Sequence, residues 1–136
     1  MLILASNLSN TPVMSLQTGS QLARTGRAII DPSNLQILAY ELKANTFLNQ
    51  EMLVRIADIR ELSRVGFIVD SGEDFILPDD VFKIKEILDL NFNLLDLRVE
   101  DEKKRKIGKI IDYTISLSNF SVQQLIVKRP FMKSFS

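Results

Sequence analysis

Five carboxylates fall within eleven residues at Asp70, Glu73, Asp74, Asp79 and Asp80, a grouping that could hold a divalent cation or supply a general acid and a general base. Their spacing does not fit an EF-hand loop. Asp70-Ser71-Gly72-Glu73-Asp74 reads as a turn and Pro78-Asp79-Asp80 as a helix start, so these residue types are expected to shape the chain rather than to bind metal. The second candidate is the basic run Lys103, Lys104, Arg105 and Lys106, with Lys109 close behind, whose charge suits RNA phosphates or an anionic lipid surface. It occupies a hairpin turn, follows Glu100, Asp101 and Glu102, and lacks the interleaved aromatics of a single-strand binder. A solvated turn is therefore its first reading and an RNA or anion contact its second. Lys128-Arg129, ahead of Pro130, reads as the end of a strand.

Catalytic chemistry finds little else to use. The chain has no histidine, which removes the side chain best suited to proton transfer near neutral pH, and no cysteine, which removes thiolate nucleophiles, thiolate metal sites and disulfides. Gly19, Gly26, Gly66, Gly72 and Gly108 form no phosphate-binding loop, and no nucleophile elbow is present. Tyr40 and Tyr113 lie in strand-like segments and are expected to supply core or interface area rather than to move protons. No catalytic, cofactor-binding or metal-ligating residue is assigned, and the chain is expected not to be an enzyme and to need no cofactor.

Composition bounds the class of partner. Lys plus Arg and Asp plus Glu both total 17, so no global field draws the protein to nucleic acid or anionic lipid, and any such attraction is local. At 136 residues, 46% of them apolar, the chain can bury one real core or two very small ones sharing an interface. The apolar run at the N-terminus is too short for a signal-peptide core, no positive side chain precedes Arg24, and no stretch has the length of a membrane span. These features place the expected protein in the cytoplasm, with the Asn7-Leu8-Ser9 glycosylation pattern accidental.

The elements that must position these residues repeat. Gly108 to Ile126 can be laid over Ala23 to Glu41 without a gap, matching Ile30 with Ile115, Ser33 with Ser118 and Asn34 with Asn119, an offset of 85. From Ile107 to Ile115 alternate positions read Ile, Lys, Ile, Tyr, Ile, which predicts a half-buried strand with that face inward; its counterpart carries Leu22, Ala28 and Ile30. Asp31-Pro32-Ser33-Asn34 turns the chain into a return strand from about Leu35 to Leu42. Val13 and Val99 anchor a preceding strand in each copy, with Leu8 and Leu94 five residues earlier. Ile59 to Leu62 and Phe67 to Val69 predict a hairpin turning near Val65-Gly66. Pro78 with Asp79 or Asp80 then opens a helix whose apolar stripe is Val81, Ile84, Ile87 and Leu88.

The small-plus-basic strand start, the Ile30-Asp31-Pro32 turn, the alternating return strand and the later Ile56-Ala57-Asp58-Ile59-Arg60-Glu61-Leu62 segment before a hairpin resemble the PRC-barrel family. That family includes the cytoplasmic domain of the photosynthetic reaction-centre H subunit and the C-terminal domain of RimM ribosome-maturation factors. The resemblance implies a mostly β fold: a small antiparallel PRC-type β-barrel with an internal repeat and one connecting α-helix. It divides the chain into a first copy over 1–77, a connecting helix over 78–91 and a partial second copy over 92–136. The family has no shared catalytic centre, and the resemblance implies a noncatalytic protein-interaction or assembly module, an adaptor; the alternative is an RNA- or ribosome-associated maturation factor resembling RimM. The second copy lacks a counterpart to Met52 through Asp70. Its open strand edge and the apolar tail are expected to make a homodimer, or the tail to pack back on its own barrel. Partner binding is assigned to Phe131, Met132 and Phe135, with Arg60 and Arg64 if they flank the same surface.

Overall fold

The protein is described by a computed structural model over residues 1–43 and 51–130. In chain order the strands are β1 (Leu2–Leu4), β2 (Pro12–Ser15), β3 (Gln21–Asp31), β4 (Gln36–Lys43), β5 (Leu53–Arg55), β6 (Ile59–Ser63) and β7 (Gly66–Val69). Helix α1 (Phe82–Asp89) follows, then β8 (Arg98–Glu100), β9 (Lys106–Ser116) and β10 (Ser121–Lys128). The fold is mostly β. Its strands form one sheet in the order β1-β9-β10-β4-β3-β2-β7-β6, with β5 added to β4 and β8 to β9.

Two expectations are corrected here. The sheet is an open path whose ends are β1 and β6, not a closed barrel, among the described residues. Nor is it wholly antiparallel, because β7 lies parallel to β2, with Val13 opposite Phe67 and Ser15 opposite Val69. A parallel neighbour needs a long crossover, and the chain from β3 through β6 provides it. Gly66 makes the approach possible: its φ is +127°, and a Cβ there would collide with the Pro12 carbonyl oxygen.

The two long hairpins carry the same register 85 residues apart. Thr25 faces Leu42, Ala28 faces Tyr40 and Ile30 faces Ile37 across β3 and β4; Ile110 faces Val127, Tyr113 faces Leu125 and Ile115 faces Val122 across β9 and β10. The turns match as well. Leu35 and Phe120 both take a positive φ, and each donates its N–H back to the last residue of the preceding strand, Asp31 or Ser116, at 2.7 Å. The hairpins meet reciprocally, Ile37 N donating to Phe120 O (2.9 Å) and Val122 N to Leu35 O (3.0 Å), the pattern of an approximate two-fold relation.

What differs is the chemistry at the turns. The Asp31 carboxylate accepts from Ser33 N (2.9 Å) and Ser33 Oγ (2.7 Å), and Lys83 of α1 stands 3.7 Å away. The hydrogen bonds from Ser33 first, then the Lys83 charge, hold its carboxyl below the usual carboxylate range against a burial effect of opposite sign. The second half puts Ser116 there, hydroxyl to hydroxyl with Ser118 at 2.8 Å.

One apolar core runs through both halves, joining Leu8, Val13, Ile37, Tyr40, Val54 and Phe67 to Leu94, Ile110, Tyr113 and Ile115. β1 pairs with β9, Leu2 to Leu4 opposite Ser116 to Thr114, so the first strand of the chain lies against the second hairpin. The predicted helix forms, after a 3₁₀ turn at Pro78–Asp80 in which Asp80 Oδ2 accepts from Leu77 N at 2.7 Å. Ile84 and Ile87 of its stripe are buried on Ile29, Ala39 and Leu53. Each such burial contributes about 2 kcal/mol of transfer free energy, which anchors a helix too short to persist alone.

The predicted inward face of β9 holds only at its far end. Tyr113 and Ile115 are buried, but Ile107 and Ile111 are exposed, and Gly108 and Ile110 point inward instead. The register shifts where Ile110 and Asp112 face the adjacent residues Val127 and Ile126, leaving Ile111 as an extra residue. A bulge of one residue exchanges the two faces of a strand, so a single period-two reading fails across it. No helix among the described residues is long and apolar enough to cross a membrane.

Candidate functional site

The residues singled out by sequence separate in the structure. Phe131, Met132 and Phe135 lie outside the described residues. Arg60 sits on β6, where its guanidinium meets Asp70 at 2.7 Å with both side chains more than half exposed, a pair worth at most about 1 kcal/mol. Arg64 is exposed in the turn that follows. Four strands separate β6 from β10 in the hydrogen-bonded order, so these arginines do not flank the second hairpin's edge along the sheet.

The basic run folds around an acid. Asp101 Oδ1 accepts from Lys103 N (2.9 Å) and Arg105 N (2.8 Å), and Oδ2 accepts from Arg105 Nε at 2.7 Å. Those bonds, from Arg105 first, hold the Asp101 carboxyl below its usual range. Lys104 supplies the positive φ of the turn, as Gly19 does at the equivalent place. Lys103 and Lys104 remain exposed, while Arg105 is neutralised within the turn itself. The carboxylates further back are likewise dispersed: Asp70 faces Arg60, Asp79 lies 4.0 Å from Lys85, and Asp80 caps Leu77.

Tyr40 and Tyr113 are core residues, exposed by only 2% and 4%. Burial, with the neighbouring Asp112 charge adding to it, pushes the Tyr113 hydroxyl up to about 12, and burial drives Tyr40 higher still. Both shifts run away from proton exchange near neutral pH.

Two features that the sequence only sketched take their place in the structure. The first is a row of cations. Lys109 on β9 faces Arg98 on β8 and Lys128 on β10, so three positive side chains stand side by side across three strands. Together with Lys106 and Arg129 they line a cleft of about 550 Å³, in which Asp96 is the lone acid. Like charges directly opposite one another are mutually destabilising, and an anion above them relieves that. The signal was present in the offset: Arg24 and Lys43, 85 residues before Lys109 and Lys128, also face each other. The sequence singled out Lys106, Lys109 and Lys128-Arg129 separately, and strand pairing brings them together with Arg98.

The second is an uncovered strand edge. In the first half, β5 pairs with β4 at Ala39, Tyr40 and Glu41, and Tyr40 is sealed by Val54 opposite it and by the Phe67 ring at 5.7 Å. The counterpart of Tyr40 is Leu125, which is 43% exposed, and β10 pairs only with β9 and, at Ser121, with β4 among the described residues. Ile107, Ile111 and Ile126 are exposed beside it in β9 and β10. The face that α1 covers in the first half needs no cover in the second, since Ile29 and Ala39 are replaced by Thr114 and Gln124, whose side chains bond each other at 3.3 Å. On that face Thr114 and Gln124 are polar, while Leu125 and Ile126 stay exposed along the edge. In comparisons with known proteins, no protein-family model matches this chain and no curated protein matches it either.

Proposed function

We propose that this chain is a noncatalytic interaction module that resembles the PRC-barrel family in its repeated hairpins though its sheet stays open, and that docks a protein partner on its second hairpin. The shared register of the two hairpins, 85 residues apart, supports the repeat. One observation carries the docking reading: β10 keeps Leu125 and Ile126 exposed on an edge whose first-half counterpart is filled by β5. Phe131, Met132 and Phe135 follow β10 in the sequence and stay assigned to the same partner.

A second reading, an RNA-associated role resembling ribosome maturation, draws on the cation row of Arg98, Lys109 and Lys128. The two separate in one experiment. The tagged full chain is used to capture partners from lysate of the source organism with and without nuclease, alongside Leu125→Ser and Lys109→Gln. The docking reading expects a nuclease-resistant protein lost with Leu125→Ser and kept with Lys109→Gln. Capture that vanishes with nuclease and with Lys109→Gln would replace it by the RNA reading.

A further inference from the structure

We infer that the occupant of the β10 edge is a second copy of this chain, paired antiparallel through β10 itself about a two-fold axis at Ile126. This rests on the docking reading of that edge and specifies what it accepts. The first half shows what such a slot holds: Leu53 faces Glu41, Val54 faces Tyr40 and Arg55 faces Ala39, after which the chain turns away. The filling segment is Met52-Leu53-Val54-Arg55. The end of β10 reads Leu125-Ile126-Val127-Lys128, the same succession of two apolar residues, a valine and a cation, and Arg129-Pro130 then leaves the strand.

Moving the β4 slot forward by 85 and seating Leu125 to Lys128 of the second copy where Met52 to Arg55 lie in the first half places its Ile126 opposite Ile126, its Val127 opposite Leu125 and its Lys128 opposite Gln124. These pairings are reciprocal, so one strand is both slot and filler, as a two-fold interface demands. Hydrogen-bond phase agrees. Leu42 N donates to Met52 O at 3.0 Å, which makes 42 with 52 a bonded pair; its image joins Val127 to Leu125 of the second copy and leaves Ile126 facing itself as a non-bonded pair. Side-chain chemistry agrees too. Leu125 and Val127 meet on the face that corresponds to Tyr40 and Val54, Ile126 meets its own copy, and Lys128 lies over uncharged Gln124. From Ser121 to Val127 the strand contains no charge and no proline, the two devices that ordinarily keep an edge unpaired.

The absence of cysteine makes the register testable, because one introduced thiol can bridge only two copies. A non-bonded cross-strand pair sits at about 4.5 Å between Cα atoms, within disulfide reach. Full-length Ile126→Cys is expected to form a covalent dimer under mild oxidation, whereas Gln124→Cys, facing position 128, is not. Sedimentation of the unmodified protein is expected to show a dimer, and Ile126→Lys, with two ammonium groups face to face, to weaken it by about tenfold or more; its circular dichroism should be unchanged because Ile126 is exposed. A monomer at sub-millimolar concentration, or crosslinking by Gln124→Cys in preference to Ile126→Cys, overturns the pairing. Either result leaves the docking reading to be judged separately, since a monomer can still lose its nuclease-resistant partner with Leu125→Ser.

Discussion

Replacing Tyr40 by Phe should stabilise this protein. The Tyr40 hydroxyl is buried and has no hydrogen-bond partner among the described residues, while its ring packs on Phe67 and Val54. Folding strips that hydroxyl of solvent without replacing the bond, at a cost of about 1 to 3 kcal/mol. Phenylalanine keeps the ring, its volume and the contact with Phe67, so the expected gain at pH 7 is about 1 to 2 kcal/mol, or roughly 3 to 6 °C in Tm for a chain of this size. Alkaline pH enlarges the difference. The folded hydroxyl of Tyr40 titrates well above its ordinary value because burial disfavours the phenolate. Above about pH 10 the unfolded chain releases this proton and the folded chain retains it, so stability is full below the ordinary tyrosine pKa and falls as pH rises toward the folded one. The Phe variant lacks that loss. With no tryptophan in the chain, far-ultraviolet circular dichroism during urea titration is the suitable assay, run on both proteins at pH 7 and again above pH 10. A variant less stable at pH 7 by about 1 kcal/mol or more would refute the reasoning, since it would mean that the hydroxyl is hydrogen-bonded in the native state. A difference that shrinks with rising pH would refute the linkage.

Further outcomes test other parts of the structure. Gly66→Ala must leave a positive φ and place a methyl on the Pro12 carbonyl, so it should lose about 3 kcal/mol or more in chemical denaturation by parting β7 from β2. Ile84→Ala empties the contact between α1 and the sheet and should cost about 2 to 4 kcal/mol by the same assay. For Asp31 the sign is acidic: its folded carboxyl lies below the unfolded value, so the stability it contributes is present above the ordinary Asp pKa and lost as pH falls through the folded one. Asp31→Asn should lie below the parent near neutral pH and approach it in acid. Lys128→Gln relieves the charge opposite Lys109 and should gain a few tenths of a kcal/mol at low salt, an advantage that disappears as salt is added.

Local rules account well for the elements. Turn chemistry at Asp31-Pro32-Ser33-Asn34 and the offset of 85 located both long hairpins, the valine-anchored strands β2 and β8 lie where Val13 and Val99 mark them, and the helical spacing of Ile84 and Ile87 identified the buried stripe of α1. The failures have one origin. The bulge at Ile111 depends on how β9 fits β10, so the alternation that looked continuous from Ile107 to Ile115 is two half-strands of opposite facing. The cation row was legible only in pieces for a related reason: Arg98, Lys109 and Lys128 lie apart in the chain and become neighbours only when three strands align.

By itself, then, the sequence determined a mostly β chain, its two like hairpins, a short amphipathic helix and the lack of His and Cys chemistry, because turns, periodicity and side-chain reactivity are properties of residues and their near neighbours. Only the tertiary structure decided that β7 runs parallel to β2, that β1 joins the second hairpin, and that Arg98, Lys109 and Lys128 stand side by side. Each of these is a choice of partner between distant segments. Strand edges offer the same backbone donors and acceptors to any comer, so pairing is settled by which side chains can share a core once the whole chain has closed around it.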